Sequence, residues 1–281
     1  MEKAVCAGTT YWDCFRGTNF RRTEIACMVW MTQQFCGAPF MGFSTYFLEQ
    51  AGLSTNVAFD MTIAQFSIGF IGTISSWFMM SYIGRRTLYL AGDAAMTLVL
   101  LLIGILGAVG ATSSGTSWAV GGLLLCFTFI YDSTVGPACY SIVAEIPSTR
   151  LRAKTVVLAR SCFNLAAIVT NIIQPRLINP NAWGLGAKAG FVWMVTCFLF
   201  LIWTYFRLPE PKGRTYGELD VLFERKVPAR KFKSTPVQEF AHLNQASSWS
   251  DSAQNVLLYS NNIEKSTSNA SKSDKSPSLK T

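Results

Sequence analysis

The sequence predicts an all-α integral membrane protein, with six transmembrane helices in one bundle and then a cytosolic tail that stays disordered. Three observations predict it. Only 14% of the 281 residues are charged and 50% are hydrophobic, against roughly a quarter charged in a soluble globular domain. Six apolar stretches each approach the roughly 20 residues that cross a bilayer. The cations gather at every second connection between those stretches, the bias that fixes orientation in a membrane.

Residues 1–24 read as a cytosolic segment. Met1 opens into Glu2-Lys3 and then a polar, aromatic-rich run from Tyr11 to Arg22, so no cleavable signal peptide is expected. The bundle occupies residues 25–207, with apolar stretches at 25–48, 61–83, 87–111, 118–144, 155–175 and 189–206. Short polar connections separate them.

The first stretch carries Gln33-Gln34 well inside an apolar run, then Gly37, Pro39 and the aromatics from Phe43 to Phe47. Two amides at that depth need water, protein or a polyhydroxylated ligand. Aromatics beside amides suit a sugar, whose ring faces are apolar and whose rim is hydroxyl. The second stretch has Gln65, Gly69, Gly72 and Ser76 on one helical face, a stripe that lets a neighbouring backbone come close.

The third stretch carries Asp93, seven residues after Arg86 and so about 10 Å along a helix. It reads either as a partner of the inner arginines or as a functional charge. The fourth stretch is broken by Gly136-Pro137, which predicts a bent helix with a loosened carbonyl, facing protein or a watery cavity. Asp132 lies thirteen residues before Glu145, about 20 Å from the inner end, too deep for a short side chain to reach the surface. Asp132, Gly136 and Tyr140 recur at helical spacing and are expected on one face.

In the fifth stretch, Arg160 sits six residues past Lys154 and heads a stripe with Asn164, Ala167 and Asn171. Arg160 either snorkels to the cytosol or serves a function, and the asparagines are either interhelical glue or ligand contacts. With Asp132, Arg160 makes a candidate buried, titratable pair. Residues 208–233 form an inner-face segment with a short amphipathic helix presenting Leu219, Leu222 and Phe223. Residues 234–281 are rich in serine, asparagine, lysine and threonine and are expected to be disordered, so the sequon Asn269-Ala270-Ser271 would stay cytosolic and unmodified.

With the N-terminal segment in the cytosol, the inner side holds Arg16, Arg21, Arg22, Arg85, Arg86, Arg150, Arg152, Lys154, Arg207, Lys212 and Arg214. The outer side holds Arg176 and Lys188. Both termini are therefore expected in the cytosol. A net charge of +8 distributed this way is a membrane pattern and argues against nucleic-acid binding. Six of the eight cysteines fall in apolar segments, and the one histidine, His242, is in the tail. No metal, disulfide framework or cofactor is expected. No nucleophile, base and orienting group recur together, which argues against an enzyme.

Several motifs, in order, resemble the C-terminal half of the sugar porters of the major facilitator superfamily, closest to the fungal α-glucoside, maltose-type permeases. Gly84-Arg85-Arg86 is similar to the inner-loop motif after the eighth helix. Gly136-Pro137 through Tyr140, Glu145 and Arg152 is similar to the tenth-helix motif. Pro209-Glu210-Pro211-Lys212-Gly213-Arg214-Thr215 is similar to the motif after the twelfth, and Gln33-Gln34-Phe35-Cys36-Gly37 with Gly42 to Phe47 resembles the seventh helix. The resemblance implies one half of a major facilitator fold in the plasma membrane, carrying an α-glucoside or hexose with proton symport. It implies that Gln33, Gln34, Tyr140 and Asn164 contact sugar. It also implies that Arg85, Arg86, Glu145, Arg152, Glu210 and Lys212 belong to an inner gating network. Pro39 stands where hexose carriers have an asparagine, and Ser81 where the inner motif has an acid. A complete carrier rocks two six-helix halves around a central site. The chain is therefore expected to be incompetent alone, as a truncated product or the partner of a complementary N-terminal half. The alternative function is a sugar sensor or interaction protein that keeps the carrier fold without transporting.

Overall fold

A computed structural model describes residues 10–50, 52–109, 114–232 and 234–235. The expectations for Met1 to Lys3, for His242, for the disordered tail and for its sequon lie outside the described residues.

A 3-10 turn, Tyr11–Phe15, leads into α1 (Thr18–Phe35). Backbone and hydroxyl hydrogen bonds from Thr10 hold the Asp13 carboxyl of that turn below the usual carboxylate range. Arg21 and Arg22 thus ride on the opening of a helix that starts ahead of the expected span. The first apolar stretch, expected as one crossing, is three pieces: α1, then α2 (Ala38–Gly42) and α3 (Ser44–Gln50). Gly37 makes the break. Its φ is +100°, and an added Cβ would come within 3.3 Å of Leu100 and Phe127 side chains, so both backbone and packing select glycine. Pro39 then sits in the first turn of α2, where its missing N–H costs nothing.

The remaining helices are α4 (Thr55–Tyr82), α5 (Arg85–Val109), α6 (Ser114–Ser133), α7 (Val135–Glu145), α8 (Arg152–Ile178), α9 (Ala189–Arg207) and α10 (Tyr216–Glu224). Among the described residues five helical runs are long and apolar enough to cross a membrane: α4, α5, α6 continuing through α7, α8, and α9 with the turn before it. The bend in the fourth stretch falls at Thr134, with φ −125° and ψ −80°, three residues ahead of Pro137. Proline removes the ladder bond to residue 133 and crowds its carbonyl, so the helix opens between the two. The Ser133 and Thr134 hydroxyls both donate to the Ile130 carbonyl, at 3.2 and 2.5 Å, and close the end of α6.

Three helix pairs pack closest: α5 with α9, α4 with α6, and α1 with α8; α1 also meets α7 and α9. Small residues set the first two of these approaches, as they do where lipid removes a hydrophobic drive between helices. A Cβ on Gly190 of α9 would lie 2.8 Å from the Leu100 carbonyl of α5. The expected stripe Gln65, Gly69, Gly72 and Ser76 is indeed the buried face of α4. Opposite it, Phe66, Phe70, Trp77 and Phe78 are exposed. Tyr89 is fully buried and donates its hydroxyl to the Val29 carbonyl at 2.8 Å, locking α5 to α1.

At the inner end, α10 begins with a reciprocal cap: Glu218 N–H donates to Thr215 Oγ1 at 3.2 Å and Thr215 N–H to Glu218 Oε2 at 3.1 Å. Its Leu219, Leu222 and Phe223 are buried, as the amphipathic spacing predicts. Asp220 pairs with Arg22, which tethers α10 to the start of α1.

Candidate functional site: a polar and aromatic band with an inner-face network

The residues expected to contact sugar come from α1, α7 and α8, and an indole joins those helices. Trp30 of α1 meets the Tyr140 ring of α7 edge-on at 5.3 Å and the Phe163 ring of α8 at 5.3 Å. The Arg160 guanidinium lies 4.5 Å over Trp30 and 4.4 Å over Phe163, a cation held on two aromatic faces. Trp30 lies outside the amide and charge patterns that mark the other residues of the band. Its signal was helical spacing, since Trp30, Gln33 and Gln34 fall at i, i+3 and i+4 on α1.

The two amides diverge. Gln33 is buried and its Nε2 donates to the Gly136 carbonyl at 3.1 Å, bracing the first turn of α7. Gln34 is half-buried, and its Oε1 accepts from Thr170 Oγ1 of α8 at 3.2 Å. Tyr140 is 57% exposed. Asn164 is exposed, with no protein hydrogen bond among the described residues, and lies one turn beyond Arg160. A band of amides, hydroxyls and ring faces therefore runs along the flank of α1, α7 and α8. Such a surface binds by hydrogen bonding and stacking and performs no covalent chemistry.

Two expectations about the buried charges fail, and one of the two readings of Asp93 is excluded. Asp132, Gly136 and Tyr140 do not share a face, because the opening at Thr134 rotates α7 against α6. Asp132 lies against α4, where a Cβ on Gly72 would be 3.2 Å from its own Cβ, while Gly136 is buried against Gln33 and Tyr140 against Trp30. No ion pair joins Asp132 to Arg160 among the described residues, since the one faces α4 and the other is stacked on α1 and α8. Asp93 does not reach the inner arginines. It is fully buried where α5 meets α9, with Oδ2 at 3.5 Å from Thr204 Oγ1 and Oδ1 unpartnered.

The inner network is arranged differently from a set of ion pairs. Arg85 Nη2 meets Glu145 Oε1 at 3.3 Å. Arg152 instead lies 4.2 Å over the Tyr216 ring, with Nε and Nη2 unpartnered. Glu210 accepts from two backbone N–H groups, Arg86 and Lys212, each at 3.2 Å, so this carboxylate caps the start of α5. The side chains of Arg86 and Lys212 turn to the carbonyls of Tyr205 and Ser81, each at 2.8 Å. The ion pair of Arg207 with Glu24, also unforeseen, ties the end of α9 to α1.

The comparisons with known proteins fit this architecture. The chain is 44% identical over 231 residues to a general alpha-glucoside permease of Saccharomyces cerevisiae, covering 82% of this chain and 37% of that protein. It is 42% identical over 241 residues to the maltose permease MAL31 of the same yeast, covering 85% of this chain and 39% of the relative. The chain thus spans about two fifths of the length of the curated relatives it matches, and these are permeases, not enzymes. A solved structure of the proton:xylose symporter XylE, of the major facilitator superfamily, shares the fold with a TM-score of 0.63 at 22% identity, over 72% of this chain and 42% of that one. The model of the "Sugar (and other) transporter" family matches residues 1–223. Helices, packing and sequence agree, and the chain belongs to the sugar (and other) transporter family.

Proposed function

We propose that this chain is the C-terminal, six-helix half of a major facilitator carrier for α-glucosides of the maltose type. In this reading α1, α2 and α3 together make the first crossing and the five continuous runs make the others. Residues 1–24 are a cytosolic connection, 25–207 the bundle, 208–233 the inner-face segment and 234–281 a cytosolic tail, with the whole in the plasma membrane.

The observation that carries the reading is the band formed by Gln34, Tyr140, Arg160 and Asn164. All four are at least partly exposed and lie on three helices joined through Trp30. An arginine and two amides facing acyl chains would be costly, whereas a second half closing over them leaves a wet site between the halves. Gln34, Tyr140 and Asn164 contact the sugar, and Gln33 supports them by holding α7. The permease names of the relatives supply the substrate class. Proton symport is part of the proposal, with Asp132 and Arg160 acting separately. The inner residues Arg85, Arg86, Glu145, Arg152, Glu210 and Lys212 close the carrier toward the cytosol when the complementary half is present.

The test is co-expression of this chain with the N-terminal six helices of a maltose permease, followed by radiolabelled maltose uptake in reconstituted liposomes. Uptake is expected only when both pieces are present. Accumulation by the 281-residue chain alone would overturn the half-carrier reading. Absence of maltose binding by a co-purified pair would overturn the substrate.

A further inference from the structure

Away from the polar band, basic side chains crowd the inner ends of α5 and α9. One cleft of about 410 Å³ is lined by Arg21, Arg207 and Lys226, and a second of about 460 Å³ by Arg86, Lys212 and Arg230. Ala229 lines both. Glu210 also lines the second cleft, but its two oxygens accept from the Arg86 and Lys212 backbone N–H groups, and Glu24 pairs with Arg207 of the first cleft, so two carboxylates face six cations. Among the described residues Arg21, Arg86, Lys226 and Arg230 have no ion pair. Arg21 lies within the repulsive field of Arg207 and Arg86 within that of Arg230, each offset in part by one carboxylate, Glu24 and Glu210. The Nε atoms of Arg21 and Arg86 are buried and unpartnered.

An apolar groove of about 590 Å³ runs up from these clefts along the outer side of the α5–α9 pair. Leu90, Ala91 and Ala94 form one wall and Leu201 and Ile202 the other. It shares Phe206 with the first cleft and Thr87 with the second. Arg230 stands at its mouth, 4.2 Å over the Tyr205 ring and 4.7 Å over Phe206. Aromatic rings beside cations at the end of an apolar helix mark the level of lipid headgroups.

We propose that this composite site binds one anionic phospholipid of the inner leaflet, with the phosphate-bearing headgroup between Arg21, Arg86 and Arg230 and an acyl chain in the α5–α9 groove. Guanidinium groups match phosphate oxygens by forked hydrogen bonds, and basic pockets beside transmembrane helices on the cytoplasmic side select anionic lipids. A soluble phosphate would satisfy the cations and leave the groove open to no purpose. A second protein chain seated there would bring the groove partner but would have to match four unpaired cations. A single lipid supplies both chemistries. The inference rests on the cytosolic orientation of these ends and is independent of sugar binding.

The experiment is native mass spectrometry of the full 281-residue chain in detergent, titrated with phosphatidylserine, with phosphatidylcholine of the same acyl chains, and with soluble glycerophosphoserine. Phosphatidylserine is expected to give a one-lipid adduct at least five-fold more abundant than phosphatidylcholine, and glycerophosphoserine is expected to bind poorly. Arg230→Ala with Arg21→Ala should remove that preference, and Ala91→Trp, which fills the groove, should lower the adduct at least five-fold. Circular dichroism and size-exclusion profiles establish that each variant is folded; should the double arginine variant not fold, Ala91→Trp and Arg230→Ala singly carry the test. Equal binding of the two lipids, adducts unchanged in folded variants, or full competition by glycerophosphoserine would overturn the proposal. So would a dimer that Ala91→Trp dissociates without touching lipid binding, because the face would then be an interface between copies.

Discussion

The side-chain amide of Gln33 donates to the main-chain carbonyl of Gly136 at 3.1 Å, and both residues are buried. A residue of α1 thereby supports the opening of the helix that carries Tyr140. Neighbouring Gln34 is free of that duty and accepts a hydrogen bond from Thr170.

The two glutamines are therefore expected to separate on mutation. Gln33→Ala removes one side of a buried hydrogen bond and should cost about 1–3 kcal/mol, read as a lower Tm in detergent. Gln34→Ala should leave the Tm nearly unchanged and weaken maltose binding in the assembled carrier. Equal loss of stability in both would contradict the division of labour.

Backbone approach between α5 and α9 sets a second expectation. In Gly190→Ala the new methyl would meet the Leu100 carbonyl at 2.8 Å and the Gly104 nitrogen at 2.9 Å, atoms that cannot rotate away. The helices must part, at about 1–3 kcal/mol. Gly122→Ala is the control, because nothing lies within 4 Å of its added Cβ. Its Tm should hold or rise.

The two inner carboxylates should also differ. Glu210 satisfies two backbone N–H groups at the start of α5 and is 9% exposed, so Glu210→Ala should cost about 1–2 kcal/mol, the range of a lost helix cap. The Arg85–Glu145 pair is about a quarter exposed on each side. Its coupling in a double-mutant cycle should be about 1 kcal/mol or less, and should shrink as salt is raised.

Coupling is tested at Asp132. In an intact carrier, Asp132→Asn should abolish uphill accumulation of maltose while retaining exchange of labelled for unlabelled sugar. Arg160→Gln should give a distinct defect, because the two groups do not pair in this structure. Unchanged accumulation in Asp132→Asn would remove that residue from the coupling role.

The apolar runs, the bias of the cations, the packing stripe of α4 and the buried face of α10 are legible in the sequence. All of these follow from spacing along one helix, and a helix carries its periodicity wherever it packs. The tertiary structure alone decided which partner each polar group takes. Asp93 ended beside Thr204 and not an arginine, Arg160 on Trp30 and Phe163, Arg152 on Tyr216, and Glu210 on backbone N–H groups. The first apolar stretch breaks at Gly37, whose φ of +100° and close Leu100 and Phe127 side chains admit no Cβ, and the fourth opens at Thr134, ahead of its proline. The reason for the polar partners is common to all four. A buried polar group takes whichever partner the neighbouring helices bring within about 3 Å, and that distance is fixed by rotation and depth between helices, which no single segment encodes.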